Sequence, residues 1–395
     1  MTRTRTLIFF AIFIIILAVT VLVVRLAQGY RIDWRGGSWR PTGLLAATSV
    51  PDGAKVFIDG KLSSATNSTI SLPPDIYEIE IKKDGYSSWI KILEIEKELV
   101  TKTDAYLFPT VPDFQALTFT GAADPILSPD GTKVAYKVKG SDYTKNGVWV
   151  LELTDLPLGI SREPRLILQS AARGRDFSQA GLEWSPDSKQ ILVKLVQKEE
   201  ENFLIDGGSE TSATALVDVT TSLPLIKQRW FGEKEIRQAQ KMAKLPEELV
   251  EIIENSTKGI TFSLDETKIL YTATASADLA EEYKPSLPAA SKQKQERNIK
   301  PGQIYVYDIK EDRNFRMMES SDDLQPSWFP TSKHLIQVKE DGVLIIEYDG
   351  VNRVVVYSGP FENAFAFPFP GGTRLLILTT LGKDLPPNLY AVSLR

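Results

Sequence analysis

The hydrophobic and polar positions along the chain form two patterns, one near the N-terminus and one over the rest. Leu7–Val24 is a run of 18 residues without a charge, interrupted only by Thr20. A helix rises about 1.5 Å per residue, so this run spans roughly 27 Å and could cross the hydrocarbon core of a membrane. From about residue 43, short stretches such as Ile76–Ile81 alternate apolar and polar residues, as half-buried strands do. The pattern therefore predicts one membrane-spanning helix followed by an all-β body.

The apolar run is compatible with either an uncleaved anchor or a cleaved signal peptide. A signal peptide has a shorter apolar stretch followed by small residues, whereas Arg25 comes directly after this run. We therefore expect a transmembrane helix at 7–24, a cytoplasmic tail at 1–6 and a juxtamembrane linker at 25–42. Positive charges nearly balance across the run, and the short N-terminal tail favours a cytoplasmic N-terminus with the body outside the cytoplasm.

Residues 43–108 contain five or six short strands, a density typical of a small β-sandwich. The segment from Val50 to Gly60 reads Val-Pro-Asp-Gly-Ala-Lys-Val-Phe-Ile-Asp-Gly, and Lys-Asp-Gly-Tyr follows at 83–86. These residues resemble the signature of the PEGA domain, named for Pro-Glu-Gly-Ala. They depart from it at Asp52, where glutamate is usual, and at Ala65-Thr66-Asn67, which replaces the common Gly-x-Thr-Pro.

The PEGA resemblance implies an extracytoplasmic surface module without catalysis, of a kind often found in bacterial envelope proteins. Turn chemistry alone explains the two Asp-Gly pairs, because aspartate bonds to its own backbone and glycine accepts tight corners. The motif residues are Pro51, Asp52, Gly53, Ala54, Asp59, Gly60, Gly85 and Tyr86.

Five copies of one turn-and-strand motif occupy residues 113–395. In the first copy, the turn Ser128–Gly131 separates an apolar strand end from an alternating strand. A further strand pattern follows every copy, so each unit supplies three or four strands, as a propeller blade does. The turn positions that carry the repeat are Pro129, Asp130, Gly131, Pro186, Asp187, Asp265, Pro330, Pro370 and Gly372.

The spacing of the copies predicts two insertions. Successive copies lie 40 to 78 residues apart, whereas a four-stranded blade takes about 40 to 50 residues. We expect a helical insertion at 233–258 and a flexible polar loop at 276–301. The fifth unit lacks a strand where the chain reaches Leu394, and Phe114–Phe119 could supply it and close the ring. Five blades are expected on this basis; six or seven would require a blade without a recognisable motif.

These repeats resemble the WD40-like repeats of the periplasmic propeller of the Tol–Pal envelope system, over about residues 113–395. The fold expected is therefore all-β, with a PEGA-like sandwich and a β-propeller behind one transmembrane helix. Because propellers host many unrelated activities, this resemblance implies a fold and not a function.

Composition limits the chemistry that the chain can perform. There is no cysteine and a single histidine, His334, so thiolate chemistry is excluded and zinc sites or Ser/His catalysis are disfavoured. The net charge is −5 although residues 1–40 hold six arginines against one aspartate, so the body is acidic. A nucleic-acid partner is therefore not expected.

The remaining candidate residues are given structural roles. The recurring aspartates could suggest a metal site, but equivalent hairpins need the same turn residue, so no metal site is expected. His334 is predicted to be an exposed turn residue, and Trp149, Trp184 and Trp328 are predicted to be core. An apolar stripe on the helical insertion is predicted to pack on the propeller; alternatively, it presents a partner surface or covers the central channel. Its members are Ile236, Ala239, Ala243, Leu249, Ile252 and Ile253.

Taken together, the residues predict a membrane-anchored, extracytoplasmic binding or scaffold protein of a bacterial-type cell envelope. No catalytic residue and no cofactor are expected, and the partners would be the membrane and envelope proteins or cell-wall glycan. The alternative is a propeller-based, glycosidase-like hydrolase that acts on envelope polymers. Such an enzyme would need two converging carboxylates, which no pattern reveals. Peptidases that use these propellers carry a following α/β-hydrolase domain, whereas this chain ends at its last repeat.

Overall fold

The computed structural model describes residues 2–27, 31–33, 38–154, 163–170, 174–212, 215–285, 291–321, 325–382 and 385–395. The chain divides into two units. The first comprises Met1–Leu107 with Lys284–Lys294, and the second comprises Phe108–Tyr283 with Gln295–Arg395.

The first unit begins with helix α1, Thr2–Ala27, which extends the predicted span at both ends. Within it, Leu7–Val24 is long and apolar enough to cross a membrane, and none of that stretch is buried against protein. A helix apolar on all sides has no polar face to offer water, so it needs an apolar environment.

The remainder of the first unit is the small β-sandwich that the sequence predicts. Sheet order is β6-β5-β8-β9 in the larger layer and β10-β3-β7 in the smaller one, with β11 paired to β4 and β1 paired to β2. Its strands are β1 (Arg31–Asp33), β2 (Ser38–Arg40), β3 (Gly43–Ala47), β4 (Ser49–Val50), β5 (Lys55–Ile58), β6 (Lys61–Ala65), β7 (Ser68–Leu72), β8 (Asp75–Lys82), β9 (Trp89–Ile95), β10 (Val100–Lys102) and β11 (Ala105–Tyr106).

The two layers of the sandwich enclose one apolar core. Leu45 from the smaller layer packs with Val56, Ile79, Ile81 and Trp89 from the larger one, and all five side chains are buried. The alternation along β8 is the reason, because successive strand residues face opposite sides of a sheet.

The second unit contains two α-helices and 22 strands among the described residues. The helices are α2 (Leu223–Met242) and α3 (Glu247–Ser256). The strands are β12 (Phe114–Ala116), β13 (Ala123–Leu127), β14 (Lys133–Val138), β15 (Gly147–Glu152), β16 (Arg165–Gln169), β17 (Gly181–Trp184), β18 (Gln190–Val196), β19 (Glu200–Asp206), β20 (Val217–Asp218), β21 (Thr257–Phe262), β22 (Lys268–Ala273), β23 (Ala277–Asp278), β24 (Asn298–Ile299), β25 (Gln303–Asp308), β26 (Arg313–Glu319), β27 (Ser327–Trp328), β28 (His334–Lys339), β29 (Gly342–Glu347), β30 (Val354–Ser358), β31 (Ala366–Pro368), β32 (Arg374–Thr379) and β33 (Asn388–Ser393).

Twenty of these strands form five four-stranded antiparallel sheets in the described part of this unit. Sheet 1 is β13 to β16, sheet 2 is β17 to β20, and sheet 3 is β21, β22, β25 and β26. Sheet 4 is β27 to β30, and sheet 5 is β31 to β33 with β12 on its outer edge. Strands that follow chain order within successive four-stranded sheets are the signature of a β-propeller, and the second unit has this fold.

The propeller closes through its first strand. β12 pairs antiparallel with β33, with Phe114 opposite Val392 and Ala116 opposite Tyr390. The N-terminal strand of the unit thus completes the sheet formed by its C-terminal strands, as the missing strand at Leu394 predicts. We call β12 the closing strand.

Neighbouring sheets share apolar side chains around the ring. Sheets 5 and 1 share one buried cluster, sheets 1 and 2 a second, and sheets 3 and 4 a third. Phe114 of the closing strand also contacts Tyr357 of sheet 4, with ring centroids 5.7 Å apart. Sheets 2 and 3 are joined through the helices, which pack on both of them.

The repeated turn of each sheet needs one residue in the left-handed region. The fourth turn residue has φ between 56° and 72° in all five copies. Glycine occupies this position in sheets 1 and 5 because it has no Cβ to oppose that conformation. The five residues are Gly131, Ser188, Glu266, Ser332 and Gly372. Proline precedes them by two positions in four copies, at Pro129, Pro186, Pro330 and Pro370.

The helical insertion differs from the predicted range of 233–258. Helix α2 starts ten residues earlier, at Leu223, with proline in its first turn, and α3 ends at Ser256 where β21 begins. The earlier start is explained by Ile226 and Trp230, which are buried against Leu192 and Val219 of sheet 2. The last strand of sheet 2, β20, is short and comprises only Val217 and Asp218.

The predicted apolar stripe is correct for α3 and wrong for α2. Leu249 and Ile253 are buried, whereas Ile236 is 60% exposed and Ala239 and Ala243 are exposed. The rotation of α2 about its axis is set instead by Ile226 and Trp230 in its first half, which are buried. As a result, the predicted stripe on α2 faces solvent.

Part of the segment 276–301, which was predicted to be a flexible loop, forms regular structure. β23 and β24 pair within it, and Leu279 and Ile299 are buried against sheet 3. Its middle belongs to the first unit, where Lys292 Nζ lies 2.6 Å from a carboxylate oxygen of Glu94. Two apolar anchors within a polar sequence account for this order.

Candidate functional site

The residues of the first PEGA-like turn, 51–54, form hydrogen bonds to neighbouring segments of the chain. Ala54 is buried; its N–H donates to Thr66 Oγ1 (3.0 Å), and its carbonyl accepts from the Thr66 N–H (2.8 Å). The carbonyl of Pro51 accepts from Ser49 Oγ, and the carbonyl of Asp52 accepts from Lys83 Nζ.

The other PEGA-like residues also lie in turns. Gly60 and Gly85 have φ of 75° and 82°, and Asp59 has φ of 48°. The Asp59 Oδ1 accepts from the Glu78 N–H (3.0 Å), and the Tyr86 N–H donates to the Lys83 carbonyl (3.1 Å). These contacts are those of structural turns.

The repeated aspartates of the propeller each close their own turn. Asp130 Oδ1 accepts from Ser128 Oγ (2.6 Å) and from the Thr132 N–H (3.0 Å). Asp187 accepts from Ser185 Oγ and Asp265 accepts from Ser263 Oγ in the same way.

Hydrogen bonding lowers the pKa of all three turn aspartates. Burial opposes ionisation of Asp130 and Asp265, but the hydrogen bonds outweigh it and their pKa values lie below the ordinary range. For Asp187 the Ser185 hydroxyl is the largest cause of the lowering. The carboxylates are used within their turns, and the described residues contain no group of three or more His, Asp or Glu side chains that could hold a metal ion.

The prediction of an exposed His334 is wrong. His334 is the first residue of β28 and only 3% exposed. Its ring packs edge-on against Phe108 (5.9 Å) and Phe329 (6.2 Å), and Nδ1 is hydrogen-bonded to Thr331 Oγ1 (2.8 Å). Phe108 lies more than 200 residues earlier in the chain, so the local turn pattern could not reveal this burial.

A cleft of about 550 Å³ lies where the closing strand meets sheet 1. One wall is the segment 115–120, which comprises the end of the closing strand and the residues after it. Tyr136 and Trp149 of sheet 1 form the opposite side, and they are direct cross-strand partners on β14 and β15. Lys145, Glu163 and Pro164 complete the lining.

The closure itself builds the first wall. The Thr118 hydroxyl donates to Asn388 Oδ1 (3.0 Å) and accepts from the Leu389 N–H (2.9 Å), while the Gly121 N–H donates to the same Asn388 oxygen (3.0 Å). Leu117 and Thr118 are both buried, whereas the residue that follows them, Phe119, is 81% exposed beside the cleft. The wall therefore rests on a fixed set of buried bonds.

Tyr136 contributes a polar group to the lining of the cleft. Its side chain is 1% exposed, burial raises the pKa of its phenol, and its hydroxyl makes no hydrogen bond within the described part of the chain. Tyr271 occupies the same position in sheet 3, but its hydroxyl donates to Asn314 Oδ1 (2.8 Å). The Tyr136 hydroxyl is not one of the fully enclosed polar atoms that lack a partner, so water or a ligand in the cleft can bond to it.

Trp149 gives the cleft a fixed aromatic wall. It is half-buried, and its indole N–H donates to the Lys145 carbonyl (2.8 Å), which holds the ring in place. Of the other tryptophans predicted as core, Trp184 is buried and Trp328 is half-buried. The cleft thus combines apolar walls with a cation, an anion and an unpaired hydroxyl, the mixture that small binding sites use.

Sequence reasoning located the closing segment but not the cleft. Phe119 lies within the predicted strand, and Trp149 was predicted as core. Tyr136 carried a usable signal, because the equivalent residue is apolar in sheets 2 and 5, at Val193 and Ile377. A polar residue at this position points to a cleft only once the closing segment of sheet 5 is known to pack against sheet 1.

Residues 42–110 match the PEGA domain, which extends the predicted range of 43–108 by one residue at the N-terminal end and two at the C-terminal end. No curated protein matches the chain. TolB from Acinetobacter baumannii is 12% identical with a TM-score of 0.23, over 80% of this chain and 59% of that one. The putative TolB from Agrobacterium tumefaciens is 13% identical with a TM-score of 0.21, over 90% of this chain and 98% of that one.

The β-propeller domain of the trilobed protease from Pyrococcus furiosus is 13% identical with a TM-score of 0.20, over 90% of this chain and 85% of that one. This chain spans less than two thirds of the Acinetobacter protein. The pairing of the strands within the chain, and not these scores, identifies the second unit as a propeller.

Proposed function

We propose that the chain is a single-pass membrane protein that displays a PEGA domain and a binding propeller outside the cytoplasm, on a bacterial-type envelope. The observation that carries the proposal is the apolar stretch of α1, of which no part is buried against protein. Such a surface is stable in lipid and not in water, because hydrocarbon burial is favourable by about 25 cal/mol per Å².

The propeller supports a binding role better than a catalytic one. Glycoside hydrolysis needs two carboxylates flanking the scissile bond, and the described lining of the cleft contains one, Glu163. The turn aspartates are engaged in their own turns. Envelope proteins or cell-wall glycan are the partners within reach of such a body.

Membrane attachment and sidedness can be tested on the full chain with a C-terminal tag. We expect the protein to stay in the membrane pellet after alkaline carbonate extraction, with its N-terminal residues retained. Added protease should digest the tagged body in intact spheroplasts. Digestion only after lysis would contradict the orientation, and a soluble product cleaved after the apolar run would contradict the anchor.

A substitution at the centre of the helix provides the matched test. Ile14→Lys places a charge in the middle of the membrane, at a cost of about 2.5–3.5 kcal/mol, and should lower the fraction of protein recovered in the pellet. Ile76→Lys makes the same change at a residue that is 60% exposed on the PEGA domain, and it should leave attachment unchanged.

A further inference from the structure

The outer edge of the closing strand is open for pairing. The Ser393 N–H donates to the Asp113 carbonyl and the Leu117 N–H donates to the Leu389 carbonyl, both at 2.9 Å. Since backbone groups alternate in direction along an antiparallel strand, Phe114 and Ala116 direct their N–H and C=O groups away from β33. In the described part of the chain, no strand pairs with the closing strand on that side.

The open edge and the cleft belong to the same segment. Ala116 ends the closing strand and also lines the cleft, together with Tyr136. Phe114 and Phe119, on either side of Ala116, are both exposed aromatic residues. The unpaired backbone groups of Phe114 and Ala116 therefore lie next to a cleft that combines apolar walls with the Tyr136 hydroxyl and one charge of each sign.

From this juxtaposition we infer that the propeller binds an extended peptide segment, which adds as a further strand to Phe114–Ala116 and places an apolar side chain in the cleft. Strand addition supplies affinity through main-chain hydrogen bonds, and alternate side chains of the added strand face the same way. The Tyr136 hydroxyl would bond to the peptide main chain beside the inserted residue. This inference rests on the proposed function, since it names the partner class of the same binding propeller.

A peptide is favoured over a glycan because of the edge. The N–H and C=O groups of Phe114 and Ala116 have the spacing of a peptide partner, whereas sugar hydroxyls have no matching repeat. Lys145 and Glu163 on the rim place one charge of each sign beside the apolar walls, so the described lining does not select a strongly charged ligand.

The probe is a random dodecapeptide phage library, panned against the full chain in lipid nanodiscs. We expect enriched peptides with apolar residues at every second position. An N-methyl scan of one such peptide, made synthetically, should weaken binding at alternate positions and leave it unchanged at those between. Failure to enrich peptides, or an N-methyl effect without a period of two, would overturn the inference. Binding of chitotetraose, but of no peptide, would also overturn it.

Protein variants locate the binding site. Tyr136→Phe should weaken binding of the selected peptide by about 3- to 10-fold, which is the effect of losing one hydrogen bond. Tyr271→Phe, at the equivalent position of sheet 3, should leave peptide binding unchanged. Phe119→Ala should weaken it, and Phe231→Ala should not, since that residue is similarly exposed but lies on α2. Equal effects in each pair would contradict the site. These measurements are made in vitro, so they are independent of the spheroplast assay and their failure is distinguishable from failure of the proposed topology.

Discussion

Replacing Thr118 by valine tests how the propeller closes. The Thr118 side chain is buried, and its hydroxyl stands where a carbonyl would otherwise continue the ladder between the closing strand and β33. Valine keeps the shape of threonine and removes both hydrogen bonds. The substitution therefore isolates the contribution of the hydroxyl from that of packing.

The magnitude follows from which groups lose a partner. The Leu389 N–H would be left buried without its acceptor, which costs about 1–3 kcal/mol. Asn388 Oδ1 would keep the Gly121 N–H as a donor, so its loss of Thr118 adds little. We therefore expect the closure to be weakened by about 1–3 kcal/mol, a substantial part of the 5–15 kcal/mol that stabilises a typical domain.

Hydrogen exchange measured by mass spectrometry is the appropriate assay, because it reports local opening in a protein of more than one unit. Amides in peptides covering residues 385–395 should exchange about 5- to 100-fold faster in the Thr118→Val protein, since 1.4 kcal/mol corresponds to a factor of ten. Amides of sheet 3 should change little. Thr120→Val is the control, because the Thr120 hydroxyl makes no hydrogen bond with described residues. If both variants gave the same small change, the hydroxyl would not secure the closure.

Three further substitutions test other parts of the propeller. Tyr271→Phe should lower the free energy of unfolding by about 1 kcal/mol, seen as a lower midpoint in urea, because Asn314 loses its donor. Gly147→Ala should prevent correct pairing of sheet 1, measured as lost near-ultraviolet circular dichroism, since a Cβ would lie 2.1 Å from the carbonyl oxygen of Leu168. Asp187→Asn should be less stable than the parent at neutral pH. Because folding lowers the pKa of Asp187, this deficit should be full above the unfolded value of about 3.9 and vanish as the pH falls through the folded value; a thermal-shift series from pH 7 to pH 2 checks it.

The sequence predicted those features that depend on neighbours along the chain. The apolar run of α1, the alternation of β8 and the turn at Asp130 each depend on residues within a few positions, and each has the structure that its pattern indicates. The closing strand was also predictable, because a count of strands per repeat left one place to fill.

Features that depend on distant partners could not be predicted in this way. His334 is buried by Phe108, more than 200 residues earlier in the chain, and the register of α2 is set by sheet 2. The cleft is a stronger case, since Tyr136 and Thr118 become neighbours only when the last sheet packs against the first. Local patterns carry no information about such packing.

Repeated junctions between the sheets give the helical insertion a structural role. Between sheets 1 and 2, the Asp130 N–H donates to Ser188 Oγ (3.0 Å), and between sheets 3 and 4 the Asp265 N–H donates to Ser332 Oγ (3.1 Å). The tryptophan that ends β17 donates to sheet 1, and the tryptophan that ends β27 donates to sheet 3. The two junctions therefore use equivalent turn residues and equivalent tryptophan side chains.

Between sheets 2 and 3 the helices replace this pair of bonds. Arg237 of α2 donates to the carbonyl of Pro186 (2.8 Å), in the turn of sheet 2, while Lys244 pairs with Glu266 (2.5 Å), in the turn of sheet 3. The insertion thus reaches both of the turns that a direct junction would have joined. Because each sheet is held by its neighbours, the helices are part of the ring and not an appendage to it.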